Sequence, residues 1–301
     1  MKSLKDYAQI VNRRLEQIPA VIDEGCFEIG EMPWLLSQSM RYSLSAGGKR
    51  LRPCMLLAAV DMLGGDGDEA LDFACAVEMI HTYSLIHDDL PGMDNDTLRR
   101  GRPTNHVVFG EGQAILAGDG LLNCAFETML ARACERPERA AQYLLAIREI
   151  ATGAGVTGMI AGQVMDLHCE RMGSGDERAL EYIQHGKTAC MFIYPLRAAA
   201  RLCGAGEDAL AALTDYGRAI GLLFQATDDL LDVTGTQEDM GKTLGKDAES
   251  GKLTCVSAYG VEGTRALVER LHREALDAID RFGGAGAFFR ALVDSMVDRT
   301  K

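Results

Sequence analysis

The feature that most constrains the fold is the spacing of apolar residues, which recur at intervals of three and four in nearly every segment of the 301-residue chain. Leu210, Leu213, Ile220 and Leu223 illustrate the period, which is that of one face of an α-helix. No alternating run of β-branched residues is flanked by a hairpin signal such as Asn-Gly. The sequence therefore predicts an all-α fold.

Several predicted helices are long. The segments 69–89, 177–203 and 207–234 lie between clusters rich in Gly and Asp, which are typical of chain breaks. Each segment is about twice the average helix of roughly 11–12 residues. Such helices favour a bundle, mostly antiparallel, around a central cavity. Because no linker, repeat or low-complexity tract interrupts the pattern, we interpret residues 1–301 as a single domain.

Composition excludes several classes of protein. A net charge of −13 argues against a general nucleic-acid or anionic-membrane binder. Nine cysteines are scattered without a C-x-x-C pair, as in reduced intracellular proteins. The charged N-terminus lacks the apolar centre of a signal peptide, and no run reaches the length of a membrane span. We expect a cytoplasmic protein.

The first cluster of chemical interest is SLIHDDLPGMDND, residues 84–96. Pro91 should end the preceding helix, so Asp88 and Asp89 fall in its last turn. Negative charge is unfavourable at that end of a helix dipole. A compensating positive charge is therefore expected nearby.

A second cluster, QATDDLLDVTG (225–235), has the same arrangement. Asp228 and Asp232 are four residues apart and share a helix face. If the two helices face one another, the carboxylates of Asp88, Asp89, Asp94, Asp228, Asp229 and Asp232 converge and need cations. Carboxylates around a wet cleft suit Mg²⁺ shared with substrate phosphates. The alternative is two solvated acidic helix ends.

Basic residues occur in compact groups. GGKRLRP (47–53) and LRRGRPTNH (98–106) follow or precede probable turns, and Lys187, Lys242 and Lys252 lie near glycines or in loops. Glycine-rich backbone with Lys and Arg at a helix start is a diphosphate-binding arrangement. Each group alone is also compatible with a solvated surface; together with two acidic clusters they favour a diphosphate site.

Seven segments in this order, GGKRLRP, HDDLPGMDNDTLRRGRPTNH, GQVMDL, GKTA, FQATDDLLDVTG, GKTLGKD and GKLT, resemble the trans-polyprenyl diphosphate synthases across nearly the whole chain. Within that family, the segments look most like those of the bacterial farnesyl diphosphate synthases. The resemblance implies an isoprenoid-synthase fold, commonly a homodimer, that condenses an allylic diphosphate (dimethylallyl or geranyl) with isopentenyl diphosphate.

The resemblance also implies residue roles. Asp88, Asp94 and Asp228 match ligands of several Mg²⁺ ions, supported by Asp89 and Asp232. The isopentenyl diphosphate site is matched by Lys49, Arg52, His81 and Arg100. The family's residues that hold the allylic diphosphate, or stabilise the cation formed from it, are matched by Arg99, Lys187, Thr188, Gln225, Lys242 and Lys252. Neither His81 nor His87 is assigned as a general base, since in this family the released diphosphate is thought to take the proton.

Product length is expected to depend on Tyr83 and Ser84, one helical turn before Asp88. Tyr83 resembles the farnesyl pattern, in which a bulky ring stops the growing chain; it is also compatible with ordinary core packing. MDND, with Asn95 in place of an aspartate, occurs in synthases of longer products as well. The alternatives are a geranylgeranyl diphosphate synthase, a terpene cyclase and a non-catalytic subunit of a heteromeric synthase, and both intact aspartate motifs argue against the last two.

Overall fold

The structure, a computed structural model, describes residues 2–25, 32–234 and 252–298, and it confirms the predicted all-α class. Its α-helices are α1 (Leu4–Gly25), α2 (Met32–Leu44), α3 (Leu51–Met62), α4 (Gly67–Asp88), α5 (Asn105–Phe109), α6 (Glu111–Glu135), α7 (Ala140–Ala154), α8 (Met159–Met172), α9 (Glu177–Ile183), α10 (Cys190–Leu202), α11 (Glu207–Thr234), α12 (Cys255–Asp280) and α13 (Ala287–Asp298). Short 3-10 turns span Pro137–Arg139 and Gly283–Gly286.

Two details differ from the sequence prediction. The predicted helix 177–203 is helical throughout, but a π-helix at Gln184–Ala189 separates α9 from α10. A two-residue hairpin joins β1 (Leu98–Arg99) to β2 (Arg102–Pro103), where no strand was expected. Its turn residues Arg100 and Gly101 have φ of 54° and 75°. Left-handed backbone at both positions is the type I′ geometry that two-residue hairpins prefer, reached here by Arg-Gly instead of Asn-Gly.

The described residues fall into two compact units. The N-terminal unit comprises Lys2–Ala58 and Asp66–Ile147, and the C-terminal unit comprises Ala59–Gly65 and the chain from Arg148 onward. The single-domain interpretation stays a prediction.

The N-terminal unit is built around α4, which packs against α1, α2 and α6. Asp72 on α4 is buried and accepts hydrogen bonds from Arg14 of α1 at 2.9 Å and from Arg132 of α6 at 3.0 Å. One buried carboxylate with two guanidinium partners thus ties three helices together, since burial of a charge requires such pairing.

The C-terminal unit is built around α11, which packs against α10 and α12. Gly217 and Gly221 allow α11 to approach α10 and the π-helix, because a Cβ there would lie 2.7 Å from Ile193 Cα and 2.6 Å from Ala189 Cα respectively. The buried Tyr216 hydroxyl donates to the backbone carbonyl of Phe289 on α13 at 2.7 Å.

Two stretches of the described chain, α6 and Pro137–Met172, are long and apolar enough to cross a membrane by length and composition alone. The second stretch is divided between α7 and α8 by a break after Ala154, and neither helix alone reaches the roughly 20 residues of a span. The first packs along α4 and buries Ala117, Leu121 and Ala125 on that face.

Candidate functional site

The first aspartate motif begins where α4 ends. Asp88 is the last helical residue and Asp89 caps the helix, as predicted. The chain then folds back, so that the backbone N–H of Asp94 donates to the carbonyl of Asp88 at 2.8 Å. This bond brings two partly exposed carboxylate residues to one helix end.

Asn95 supports this fold-back through its backbone. Its φ is 51°, a left-handed value that Asn adopts more readily than most residues, and its N–H donates to the carbonyl of Leu90 at 3.1 Å. A short polar side chain, Asn or Asp, therefore suits the backbone conformation at this position.

The positive charge expected at the end of α4 is Arg99, on β1. Its Nε lies 2.9 Å from both carboxylate oxygens of Asp89, and its Nη2 lies 2.7 Å from Oδ1. Burial raises the pKa of the Asp89 carboxyl, and the guanidinium offsets part of that rise. Asp89 and Arg99, which the sequence assigned to the metal and to the allylic diphosphate, are thus bound to one another. Their ligand roles stay predictions.

The two basic segments of the N-terminal unit meet at Arg100. Its guanidinium donates to the carbonyl of Gly47, and a Cβ on Gly48 would lie 2.7 Å from it. Gly47 and Gly48 have φ of 83° and 118°, and this left-handed backbone favours glycine at both positions. Lys49 is exposed beside them and Arg52 is partly buried on the first turn of α3.

Arg50, in the middle of this loop, has an inward role that the sequence did not reveal. Its guanidinium and the Glu78 carboxylate on α4 are both 3% exposed and lie 2.5 Å apart. The same guanidinium donates to the carbonyl of Leu44 at 2.6 Å and to Asn12 Oδ1 at 3.0 Å. Arg50 therefore anchors the loop that carries Lys49.

His81 lies on α4, one turn beyond Glu78. Burial, together with the guanidinium groups of Arg52 and Arg100, lowers the pKa of His81 well below its usual value. The imidazole is therefore neutral near pH 7 and has one N–H to donate.

The residues expected to control product length are close to His81. The Ser84 hydroxyl donates to the carbonyl of His81 at 2.9 Å. Tyr83 is 6% exposed, and burial and the charge of Asp88 raise its pKa to about 12. Tyr83 is therefore an uncharged, bulky ring in the turn before Asp88.

A small pocket lies within the same unit. Tyr42, Leu85, Ile86 and the guanidinium-bearing Arg99 and Arg100 are among its lining residues. Small ligands with an anionic group and an apolar group suit such a lining.

The second aspartate motif lies at the end of α11 in the C-terminal unit. Asp228 is partly exposed, whereas Asp229 and Asp232 are buried. Asp229 Oδ2 accepts from the backbone N–H of Cys255, the first residue of α12, at 2.7 Å. Its other oxygen accepts from Gln225 Nε2 at 2.8 Å, so Asp229 has a structural role in joining α11 to α12.

Lys187 and Thr188 lie in the π-helix. Lys187 Nζ is 2.6 Å from Asp166 Oδ2 on α8, and the Thr188 hydroxyl donates to Gln225 Oε1 at 3.1 Å. The π-helix passes so close to α8 that a Cβ on Gly162 would lie 2.1 Å from Lys187 N. Glycine within α8, unfavourable for helix propensity, is thus required by this backbone contact.

The remaining lysines are placed as follows. Lys252 is partly exposed, three residues before α12. Lys242 lies outside the described residues.

No group of three or more Asp, Glu, His or Cys side chains within the described ranges is arranged to hold a metal ion. This is compatible with Mg²⁺, which is usually held by one or two carboxylates with waters and substrate phosphates. Asp88 and Asp94, hard oxygen donors drawn together by a backbone bond, fit such a pair. The metal roles of Asp88, Asp89, Asp94, Asp228 and Asp232 stay predictions.

Comparison with known proteins places this geometry in context. Residues 33–280 match the family model of polyprenyl synthetases. A putative geranylgeranyl pyrophosphate synthase 8 from Arabidopsis thaliana is 46% identical over 275 residues, which cover 90% of this chain and 75% of that protein.

Solved structures agree in fold. A geranyltransferase from Legionella pneumophila has a TM-score of 0.85 at 31% identity and covers 99% of this chain and 96% of its own. A geranyltransferase from Helicobacter pylori, complexed with magnesium and isoprenyl diphosphate, has a TM-score of 0.77 at 29% identity, with 99% and 98% covered.

Proposed function

Because the chain belongs to the trans-polyprenyl diphosphate synthase family, we propose that it condenses geranyl diphosphate with isopentenyl diphosphate to give a fifteen-carbon product. Prenyl transfer is the activity of the family. The observation that carries the choice of substrates is the meeting of two cationic loops at Arg100, in the same unit as the carboxylates that end α4.

The cationic loops are the proposed isopentenyl diphosphate site. Lys49, Arg52 and Arg100 supply positive charge, and the neutral His81 supplies a single hydrogen-bond donor. The pairing of Arg50 with Glu78 keeps the loop backbone fixed, so the ligand need not order it on binding. These groups hold the diphosphate while leaving the double bond at the other end of the molecule able to react.

The carboxylates of Asp88 and Asp94 are the proposed magnesium ligands in this unit, with Asp228 as a ligand from the second motif. Mg²⁺, when bound, neutralises charge that develops on a departing diphosphate. The Helicobacter pylori geranyltransferase, which is complexed with magnesium and isoprenyl diphosphate, supports this choice of metal.

Lys187, Thr188 and Gln225 are proposed to act on the allylic substrate. Lys187 Nζ is held 2.6 Å from Asp166, which limits the directions in which the ammonium can reach. A preorganised ammonium group stabilises negative charge on the leaving diphosphate, because its side chain need not be reordered during the reaction. The Thr188–Gln225–Asp229 hydrogen bonds fix the side-chain oxygens that would face positive charge on the prenyl carbon.

Fifteen carbons is the proposed length because Tyr83 is a large, buried ring in the turn before Asp88. The similarity to two solved geranyltransferases supports the use of a geranyl substrate. A twenty-carbon product is the second candidate, favoured by the similarity of the chain to several geranylgeranyl pyrophosphate synthases, among them the Arabidopsis thaliana relative.

We further propose a cytoplasmic homodimer. On α6 the side chains of Leu116 and Leu130 are 58% and 44% exposed, and they lie fourteen residues apart on one stripe of the helix. A second copy of the chain would cover this stripe. Sedimentation of the wild type and of Leu116→Asp tests the proposal: we expect a dimer that the substitution weakens, and a monomeric wild type would refute it.

The enzymatic proposal is tested by incubating the purified protein with isopentenyl and geranyl diphosphates and Mg²⁺, followed by mass spectrometry. We expect accumulation of the fifteen-carbon diphosphate. A predominantly twenty-carbon product would support the second candidate, and absence of any condensation product would refute both.

A further inference from the structure

His87 occupies a tight site between α4 and α6 in the N-terminal unit. Its Nε2 lies 3.0 Å from the carbonyl of Ile115. A Cβ on Gly118 would lie 2.1 Å from the same nitrogen and 2.5 Å from Cδ2, so any larger residue there would displace the imidazole. Asp119 Oδ1 lies 3.8 Å from Nε2. The ring position of His87 is therefore set by α6.

The opposite contact of the imidazole is with Tyr83, one turn earlier on α4. The two ring centroids are 5.7 Å apart and the planes are inclined at 81°, an edge-to-face pair. A tyrosine ring blocks a growing chain only if it cannot rotate aside. His87, which contacts this ring, is itself held by the backbone of α6.

We propose that His87, seated against Gly118, is a specificity-determining positioning residue that fixes the ring of Tyr83 and thereby limits product length. The proposal rests on the proposed function, because it concerns how that reaction ends. His87 binds no substrate in this account. It acts through Tyr83, and its removal changes which product is released more than how fast the bond forms.

Two substitutions test the proposal from opposite sides of the contact. His87→Ala removes the imidazole, and Gly118→Ala displaces it from α6. Gly112→Ala is the matched control, since it lies on the same helix and a Cβ there has no atom within 4 Å. Each purified variant receives geranyl diphosphate, excess isopentenyl diphosphate and Mg²⁺; the ratio of twenty- to fifteen-carbon product and the total rate of incorporation are measured.

We expect both test variants to raise the product ratio roughly fivefold, the effect of losing one aromatic contact, while Gly112→Ala keeps the wild-type ratio. In the double variant, Gly118→Ala should add nothing to His87→Ala, because its methyl group then enters vacated space. An unchanged ratio in both single variants, or fully additive effects in the double variant, would overturn the proposal.

Failure of the proposed function is distinguishable from failure of this inference. A wild type that makes no condensation product, or mainly the twenty-carbon product, contradicts the proposed function without reference to His87. A wild type that makes fifteen carbons, a Tyr83→Ala variant that makes longer product, and test variants that match the wild type contradict the inference alone.

Discussion

Glu78→Gln should destabilise the protein and weaken isopentenyl diphosphate binding. The substitution removes the charge that balances Arg50, and both side chains are 3% exposed with 2.5 Å between Nη1 and Oε1. The guanidinium cannot lose its proton, so it stays buried with only neutral partners. Breaking a buried ion pair costs about 3–5 kcal/mol, and since glutamine keeps an acceptor oxygen we expect about 3 kcal/mol.

The loss should be measured by urea unfolding followed by circular dichroism, with Glu138→Gln as the control. Glu138 also pairs with an arginine, but its side chain is 61% exposed, so its substitution should change the free energy of unfolding by at most about 0.5 kcal/mol. An equal free energy of unfolding for the wild type and Glu78→Gln would refute the reasoning.

A kinetic measurement separates the loop's role from general destabilisation. Arg50 lies between Lys49 and the partly buried Arg52, so loss of its anchor should raise the KM for isopentenyl diphosphate by about tenfold, which corresponds to ~1.4 kcal/mol. The KM for geranyl diphosphate should stay unchanged. Equal increases in both constants would contradict the assignment of the loop to one substrate.

Three further results are expected. Gly162→Ala should lower kcat, measured by steady-state kinetics, on the order of 100-fold, because its methyl group would displace the backbone of Lys187. Gly206→Ala is the control and should leave kcat unchanged, because the space around Gly206 is open. Folding lowers the pKa of His81, so its contribution to stability is complete above the ordinary pKa of about 6.5 and is lost as pH falls through the lowered value. Urea unfolding from pH 8 to 5 should therefore show a free energy of unfolding that depends less on pH in His81→Asn than in the wild type. The same pH dependence in both proteins would contradict the lowered pKa. Tyr83→Ala should shift the products seen by mass spectrometry beyond fifteen carbons, and an unchanged product would refute the role of the ring.

Much of the fold was predictable because the relevant signals are local. Apolar periodicity predicted α4 and α11, and Pro91 together with the chain break predicted that Asp88 and Asp89 end α4, as they do. The need for a nearby cation was also predictable from the helix dipole. That the cation is Arg99 followed only from the structure, since it depends on the path of the hairpin.

Other features depend on contacts between residues far apart in sequence. Asp229 carries a carboxylate like its neighbours in the motif, yet it is bound to the backbone of Cys255, 26 residues away. Arg50 resembles Lys49 and Arg52 in sequence but points inward to Glu78. The π-helix has no apolar period of its own, and the glycines of α8 and the π-helix reveal the close contact only when the two backbones are placed together.

The most direct test of the account is the Mg²⁺ dependence of condensation in the wild type, Asp88→Ala and Asp228→Ala. The measured quantity is the initial rate of product formation from geranyl and isopentenyl diphosphates across a Mg²⁺ titration. We expect the wild-type rate to require Mg²⁺ and each variant to lose on the order of 100-fold or more at saturating metal. A wild-type rate that persists in excess chelator, or variants with full activity, would contradict the claim that these aspartates serve magnesium-assisted prenyl transfer.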